Sequence, residues 1–320
     1  SSANTAIATA SGTGLVTAVA LGSAAIRATV EGIQGSSTLT VGVGAAASMA
    51  AVSVVTQSAA AGTAVAAPPS VRVRDIAGSP VSGVNVTFTL TAGAGSTTPA
   101  SPATVATNAT GVATLTTWTL GNVVGANTVS AAVSGLTGSP VVFNATGVAG
   151  AASIIAANSV VTQSATAGTA VGAPPSVKVT DAVGNAVSGV VVTFAVTAGG
   201  GTISSASATT NAGGIATLAS WTLGALVGTN TVTATATGLT GSPVSFNATG
   251  TVGAAAIIVA NSALSQSGTA SSAVATPPSV RVTDIGGNPV SGVNVTFTVT
   301  AGGGTTSPAS PAVVATNASG

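Results

Sequence analysis

The stretch that decides the fold is VNVTFTLT, Val84 to Thr91. Val84, Val86, Phe88 and Leu90 fall on one face of an extended chain, and Asn85, Thr87, Thr89 and Thr91 fall on the other. Successive side chains of a strand point to opposite faces, so this period of two predicts a half-buried β-strand. SPVVFNATG, Ser139 to Gly147, alternates in the same way, with Val141, Phe143 and Ala145 on its apolar side. Gly, Pro, Asn and Ser interrupt such runs about every 8 to 12 residues, the spacing of turns in an all-β domain.

The strand belongs to a longer unit that recurs. APPSVRVRDIAGSPVSGVNVTFTLTAG starts at Ala67 and returns as APPSVKVTDAVGNAVSGVVVTFAVTAGG at Ala173 and TPPSVRVTDIGGNPVSGVNVTFTVTAGG at Thr276, offsets of 106 and 103 residues. A second block, TNATGVATLTTWTLGNVVGANTV from Thr107, returns as TNAGGIATLASWTLGALVGTNTV from Thr210 and begins again as TNASG at Thr316. The period is too long for a solenoid repeat and matches a small β-sandwich.

In the first full unit the pattern predicts strands near Ser48–Gln57, Ser70–Asp75, Val84–Thr91, Ala103–Thr107, Val112–Leu120, Thr128–Ser134 and Ser139–Thr146. Val112, Trp118 and Leu120 share one parity while Ala113 and Leu115 share the other, so a bulge or a strand switching sheets is expected near Thr116–Thr117. Seven short strands without helical periodicity predict an all-β protein of tandem immunoglobulin-like β-sandwiches, each about 100 residues long. Short junctions such as TGVAGAAS, Thr146 to Ser153, predict an extended rod. The expected domains are 1–44, 45–150, 151–253 and 254–320.

Composition narrows the function. The 320 residues contain no His, Cys or Tyr, and charged residues are 3% of the chain, against roughly 25% in ordinary domains. The acids are Glu31, Asp75, Asp181 and Asp284, and the bases are Arg27, Arg72, Arg74, Lys178 and Arg281. A net charge of +1 without a basic cluster argues against nucleic acid. Mean hydropathy of +0.70 comes from Ala and Val interleaved with Thr, Ser, Asn and Gly, and no apolar run reaches the roughly 18 residues of a membrane helix. A membrane barrel would call for aromatic girdles, and aromatics are 2%. No acid, base or metal-ligand set supports a hydrolase, so catalytic residues, cofactors and metals are expected to be absent.

At the level of the combined motifs, PPSVxVxDxxGNxVSGVxVTFxVTAGGG, TNAxGxATLxSWTLG and GTNTVTAxxxGLTGSPVxFxATG, residues 45–320 resemble the bacterial immunoglobulin-like repeats of the invasin and intimin type (Big-1). TAIATASGTGLVTAVALGSAAIRATVEGIQGSSTLTV, within the first 43 residues, is similar to the last strands of a second such family, Big-2. The resemblance implies an extracellular array without catalytic residues, as in adhesins, surface fibres, stalks and some phage tail or decoration proteins.

Several positions invite a sharper reading. Asp75, Asp181 and Asp284 open DIAGSP, DAVGNA and DIGGNP and read as the first residue of a tight turn. The alternative, Ca²⁺ at a domain junction, needs about six to eight oxygens where each unit offers one carboxylate. Arg72, Lys178 and Arg281 lie three residues earlier and suggest a surface ion pair with that Asp. Trp118 and Trp221 read as core, with an exposed sugar-stacking platform for a polysaccharide as the alternative. TAGAGS and TAGGGT read as strand-end turns, since the Lys and helix of a phosphate loop are missing. Asn85, Asn108, Asn144, Asn247, Asn294 and Asn317 are glycosylation sequons.

Residues 1–44 carry strands from the end of a sandwich and residues 254–320 strands from the start of one. Either adjoining residues of a longer chain complete them, or the half domain of one subunit is closed by that of the next, building a filament by strand addition. With so few charges to desolvate, self-association into a fibre or surface layer is expected.

Overall fold

A computed structural model describes Ser1–Gly320, and every regular element in it is a β-strand. The chain separates into two units, Ser1–Ala149 and Gly150–Gly320. In the first, β1 (Ala8–Ala10) pairs with β2 (Val16–Ala18), and β3 (Gly22–Val30) with β4 (Ile33–Val41), giving two hairpins. There follow β5 (Ala46–Ala51), β6 (Thr56–Ala60), β7 (Ser70–Asp75), β8 (Asn85–Ala92) and β9 (Ser96–Thr98). The unit closes with β10 (Ala103–Ala106), β11 (Val112–Thr114), β12 (Thr117–Thr119), β13 (Gly125–Ala132) and β14 (Val141–Val148).

These ten strands form a five-stranded sheet in the order β10-β8-β13-β14-β6, a three-stranded sheet β11-β7-β5, and the short pair β12-β9. Only β6 runs parallel to its neighbour, β14. Two facing sheets of this order, with the first strand shared between them, make an immunoglobulin-like sandwich.

Two details differ from the sequence expectation. The single strand expected over Ser48–Gln57 is two: β5 pairs with β7 and β6 with β14, so the chain crosses from one sheet to the other around Val52–Val55. One segment thereby covers an edge of both sheets, which limits exposed strand edges. The short strand β9 was not expected. The switch near Thr116–Thr117 is present: β11 pairs with β7 and β12 with β9. Ala113 and Leu115 therefore enter the core on one parity, and Trp118 and Leu120 on the other.

That core is a single cluster, with Val71, Val73, Val86, Phe88, Trp118, Val129 and Phe143 fully buried. The faces are those the alternation assigns. Behind them, buried amides hold the turns. Asn127 accepts the Gly121 N–H at 3.0 Å through Oδ1 and donates Nδ2 to the Gly125 carbonyl at 3.2 Å. Gly93, at φ +79°, packs so closely that a Cβ would run into the Asn127 amide.

The second repeat, which opens the second unit, follows the same plan. Its strands are β15 (Ile154–Ala157), β16 (Thr162–Thr166), β17 (Ser176–Thr180), β18 (Val191–Ala198), β19 (Thr202–Ile203), β20 (Ser207–Thr209), β21 (Ile215–Thr217), β22 (Trp221–Thr222), β23 (Gly228–Thr235) and β24 (Val244–Thr251). Sheet orders β16-β24-β23-β18-β20, β15-β17-β21 and β19-β22 match those of the first repeat. Trp221, Phe194 and Phe246 fill the core.

The third copy contributes β25 (Ile257–Ala260), β26 (Val280–Thr283), β27 (Asn294–Phe297) and β28 (Ala312–Ala315), in two pairs, β25-β26 and β27-β28. Val280, Val295 and Phe297 line an open groove of about 1180 Å³. Their counterparts Val71, Val86 and Phe88 are fully buried, because β12, β13 and β14 complete that core.

A Trp so enclosed sets much of a repeat's stability. Trp221→Ala is expected to destabilise its repeat by about 3–5 kcal/mol. Trp221→Phe should cost clearly less, since it keeps most of the ring volume and removes an indole N–H that has no acceptor. Urea denaturation followed by circular dichroism measures both; equal losses would contradict this account of the core.

Candidate functional site

The recurrent Asp does more than begin a turn. In the second repeat Asp181 accepts the N–H of Val183 at 3.0 Å and of Asn185 at 2.8 Å on Oδ1, which closes the turn over Gly184 at φ +95°. Its Oδ2 accepts the N–H of Gly150 at 2.9 Å and the Asn185 Nδ2 at 3.0 Å. Gly150 lies 31 residues earlier, where the repeat begins. The same bond joins Gly44 to Asp75 and Gly253 to Asp284, each at 2.9 Å. One carboxylate therefore shapes the turn and pins the linker.

Strand parity explains how it gets there. Asp75 follows Val71 and Val73 by steps of two, so its side chain shares their buried side of β7, whereas Arg72 lies on the other. The surface ion pair expected between Arg72, Lys178 or Arg281 and the following Asp does not form, because a separation of three residues places the partners on opposite faces. Arg74 instead donates to the Gly78 carbonyl, and Arg281 Nε to the Ser319 carbonyl at 3.3 Å.

The hydrogen bonds hold these carboxyls below their ordinary range. For Asp75 the Gly44 N–H is the largest cause and for Asp284 the Gly253 N–H, in each case outweighing the opposing effect of desolvation. For Asp181 desolvation is the largest single influence and raises the value, but the Asn185 amide and the N–H groups of Gly150, Asn185 and Val183 together outweigh it. Donors thus surround an anion whose oxygens are already engaged, an arrangement suited to a structural pin and poor for Ca²⁺, which needs several free oxygens.

The remaining candidates separate cleanly. Trp118 and Trp221 are 0% exposed, so neither ring can be a sugar platform, and the exposed-Trp alternative is withdrawn. Their larger value is as core, where they bury the widest apolar surface in each repeat. TAGAGS and TAGGGT lie in the β8–β9 and β18–β19 connections, as turns. All six sequon residues, Asn85, Asn108, Asn144, Asn247, Asn294 and Asn317, are exposed. They remain scattered over strand faces and turns and form no cluster with the Asp pins. No helix is long and apolar enough to cross a membrane.

Comparison with known proteins finds one family match and several distant structural likenesses. Residues 1–41 match the bacterial Ig-like domain (group 2). No curated protein matches the chain in sequence. Among solved structures, the adhesin FdeC of Escherichia coli is 19% identical, covering 73% of this chain and 76% of its own, with a TM-score of 0.43. InvD of Yersinia pseudotuberculosis is 21% identical, covering 77% and 72%, with a TM-score of 0.41. Domains 4–9 of the surface layer protein SbsC are 19% identical, covering 82% and 40%, with a TM-score of 0.28. The repeats of this chain are immunoglobulin-like domains.

Because the folded pKa values lie below the ordinary one, the pins contribute stability above the usual Asp range near pH ~4, and that contribution is lost as pH falls through the folded values. Amide hydrogen exchange should show Gly44, Gly150 and Gly253 losing protection together on acidification, and Asp181→Ala should release Gly150 alone at neutral pH. Protection of Gly150 that survives both treatments would contradict the pin.

Proposed function

We propose that the chain is a non-catalytic structural segment of a bacterial extracellular filament, adhesin stalk or surface layer. One observation carries this reading: each complete repeat commits its lone turn carboxylate to its own linker and its lone Trp to its core, and presents no reactive group in their place. What it offers outside is a sheet face of Thr, Ser and Asn, such as Thr231, Thr233 and Asn247, with hardly any charge. Such a surface suits lateral packing without the cost of desolvating ions. The reading adopts the extracellular setting of bacterial Ig-like domains, with the exposed sequons available to glycans if the host modifies its surface proteins.

Antibody labelling of intact producing cells tests the placement. External signal that disappears on mild protease treatment is the expected result, and protein recovered only after lysis would overturn it. The same released protein, weighed intact, should carry discrete sugar increments if the sequons are used; an unmodified mass would remove the glycan proposal and leave the structural one.

A second reading, self-association, draws on the same uncharged faces. We propose that copies of the chain pack side by side through them. Negative-stain microscopy of the concentrated chain should then show ordered assemblies. Monomers at every concentration would sink the packing without touching the surface role.

A further inference from the structure

The connection between β22 and β23, Gly224 to Gly228, is held from inside. Asn230 accepts the Gly224 N–H at 2.9 Å and donates to the Gly228 carbonyl at 3.2 Å. Between those anchors, the Ala225 carbonyl and the Val227 N–H are taken by one side chain of the third copy, Asn288. Val227 donates to Asn288 Oδ1 at 2.9 Å, and Asn288 Nδ2 donates to the Ala225 carbonyl at 2.8 Å. The same Nδ2 faces both oxygens of Asp284, at 3.1 and 2.9 Å. Asn288 is 3% exposed.

We propose that the Gly224–Gly228 loop is a docking surface for the turn of the repeat that follows it, that Asn288 latches the two together, and that Gly286 admits the close approach. A carboxamide carries an acceptor and a donor side by side, so it pairs with a backbone N–H and carbonyl much as a neighbouring strand would. The Asp284 carboxylate aims it. Since that carboxylate also holds the Gly253 N–H, the linker and the docked turn belong to one hydrogen-bonded network, Gly253 to Asp284 to Asn288 to the loop. Two attachments on separate segments oppose rotation about the linker better than either alone.

The fit is selective. A Cβ on Gly286 would run into the Ala225 carbonyl, although Gly286 itself has no left-handed φ that would demand glycine. Close approach is therefore the reason for glycine at this position. The corresponding residues of the other turns are Ala77 and Val183, neither of which could replace Gly286 here without movement of the backbone. At the position of Asn288 the first repeat has Ser79, which offers a single hydroxyl in place of the amide pair, while the second has Asn185 with the same amide, so against that turn the discrimination lies at Gly286. The partner that this loop fits is a turn of the form Asp-x-Gly-Gly-Asn.

The proposal concerns the purified chain and goes beyond the surface role, so its test stands whether or not that role does. Two variants of the full chain, Asn288→Ala and Gly286→Ala, are compared with the parent by amide hydrogen exchange. In each, the Val227 amide is expected to exchange tenfold or more faster, while the amides of residues 286 and 288, which donate to Asp284, keep their protection. Spin labels at Ser205→Cys and Ala309→Cys, unique in a chain without Cys, should give a broader distance distribution in both variants. Unchanged Val227 exchange in Asn288→Ala overturns the proposal. If that variant loses the turn itself, Gly286→Ala decides, and loss of the turn in both would make Asn288 a part of the turn and no latch.

Discussion

Much of the structure depends on one hydrogen bond, from a linker glycine N–H to a buried turn carboxylate. Gly44, Gly150 and Gly253 each donate to the Asp found 31 residues later, so the linker residue just before every copy is fastened to the turn that follows β7, β17 or β26. An ionised acceptor makes such a bond stronger than a neutral one would. It also uses the charge locally: with turn and linker N–H groups around it, the carboxylate needs no cation to be buried. This is how a chain with only four acids can afford to bury three of them.

Around those pins the sandwich is built from small and β-branched residues, and a few large side chains carry the packing. In each complete repeat one Trp and two Phe occupy the centre, and Val from both sheets interdigitates around them. The switch between β11 and β12 lets one segment feed both sheets, so residues of opposite parity reach the same core. In residues 254–320 the equivalent Val and Phe positions line a groove. The contrast shows how little of this core is local to any hairpin.

The alternating runs made most of the fold legible. VNVTFTLT and SPVVFNATG place their apolar faces inward as the period of two requires, and the parity conflict at Thr116–Thr117 marked the sheet switch. The split of the first strand was not legible, because MAAVSVV is apolar but for Ser53 and carries no clear change of period at the crossing. Asp75 was readable as a turn residue, yet its partner lies 31 residues back and local patterns do not reach so far. The ion-pair expectation overlooked parity that VRVRD displays openly. Asn288 gave no sign at all, since its amide pairs with a loop 61 and 63 residues earlier, and a GGNP turn is complete without it.

The burial of Trp118 and Trp221 also decides what light can see in this molecule. The chain has no Tyr, and its two indoles sit at equivalent depths in the two complete sandwiches. Near-ultraviolet absorption and intrinsic emission therefore originate almost wholly from those two cores. The hairpins of residues 1–44 and the strands of residues 254–320, with Phe297 as their one aromatic ring, are optically dark. A melting curve followed by emission would register the loss of either sandwich, and the flanking segments could come apart beneath it without a trace.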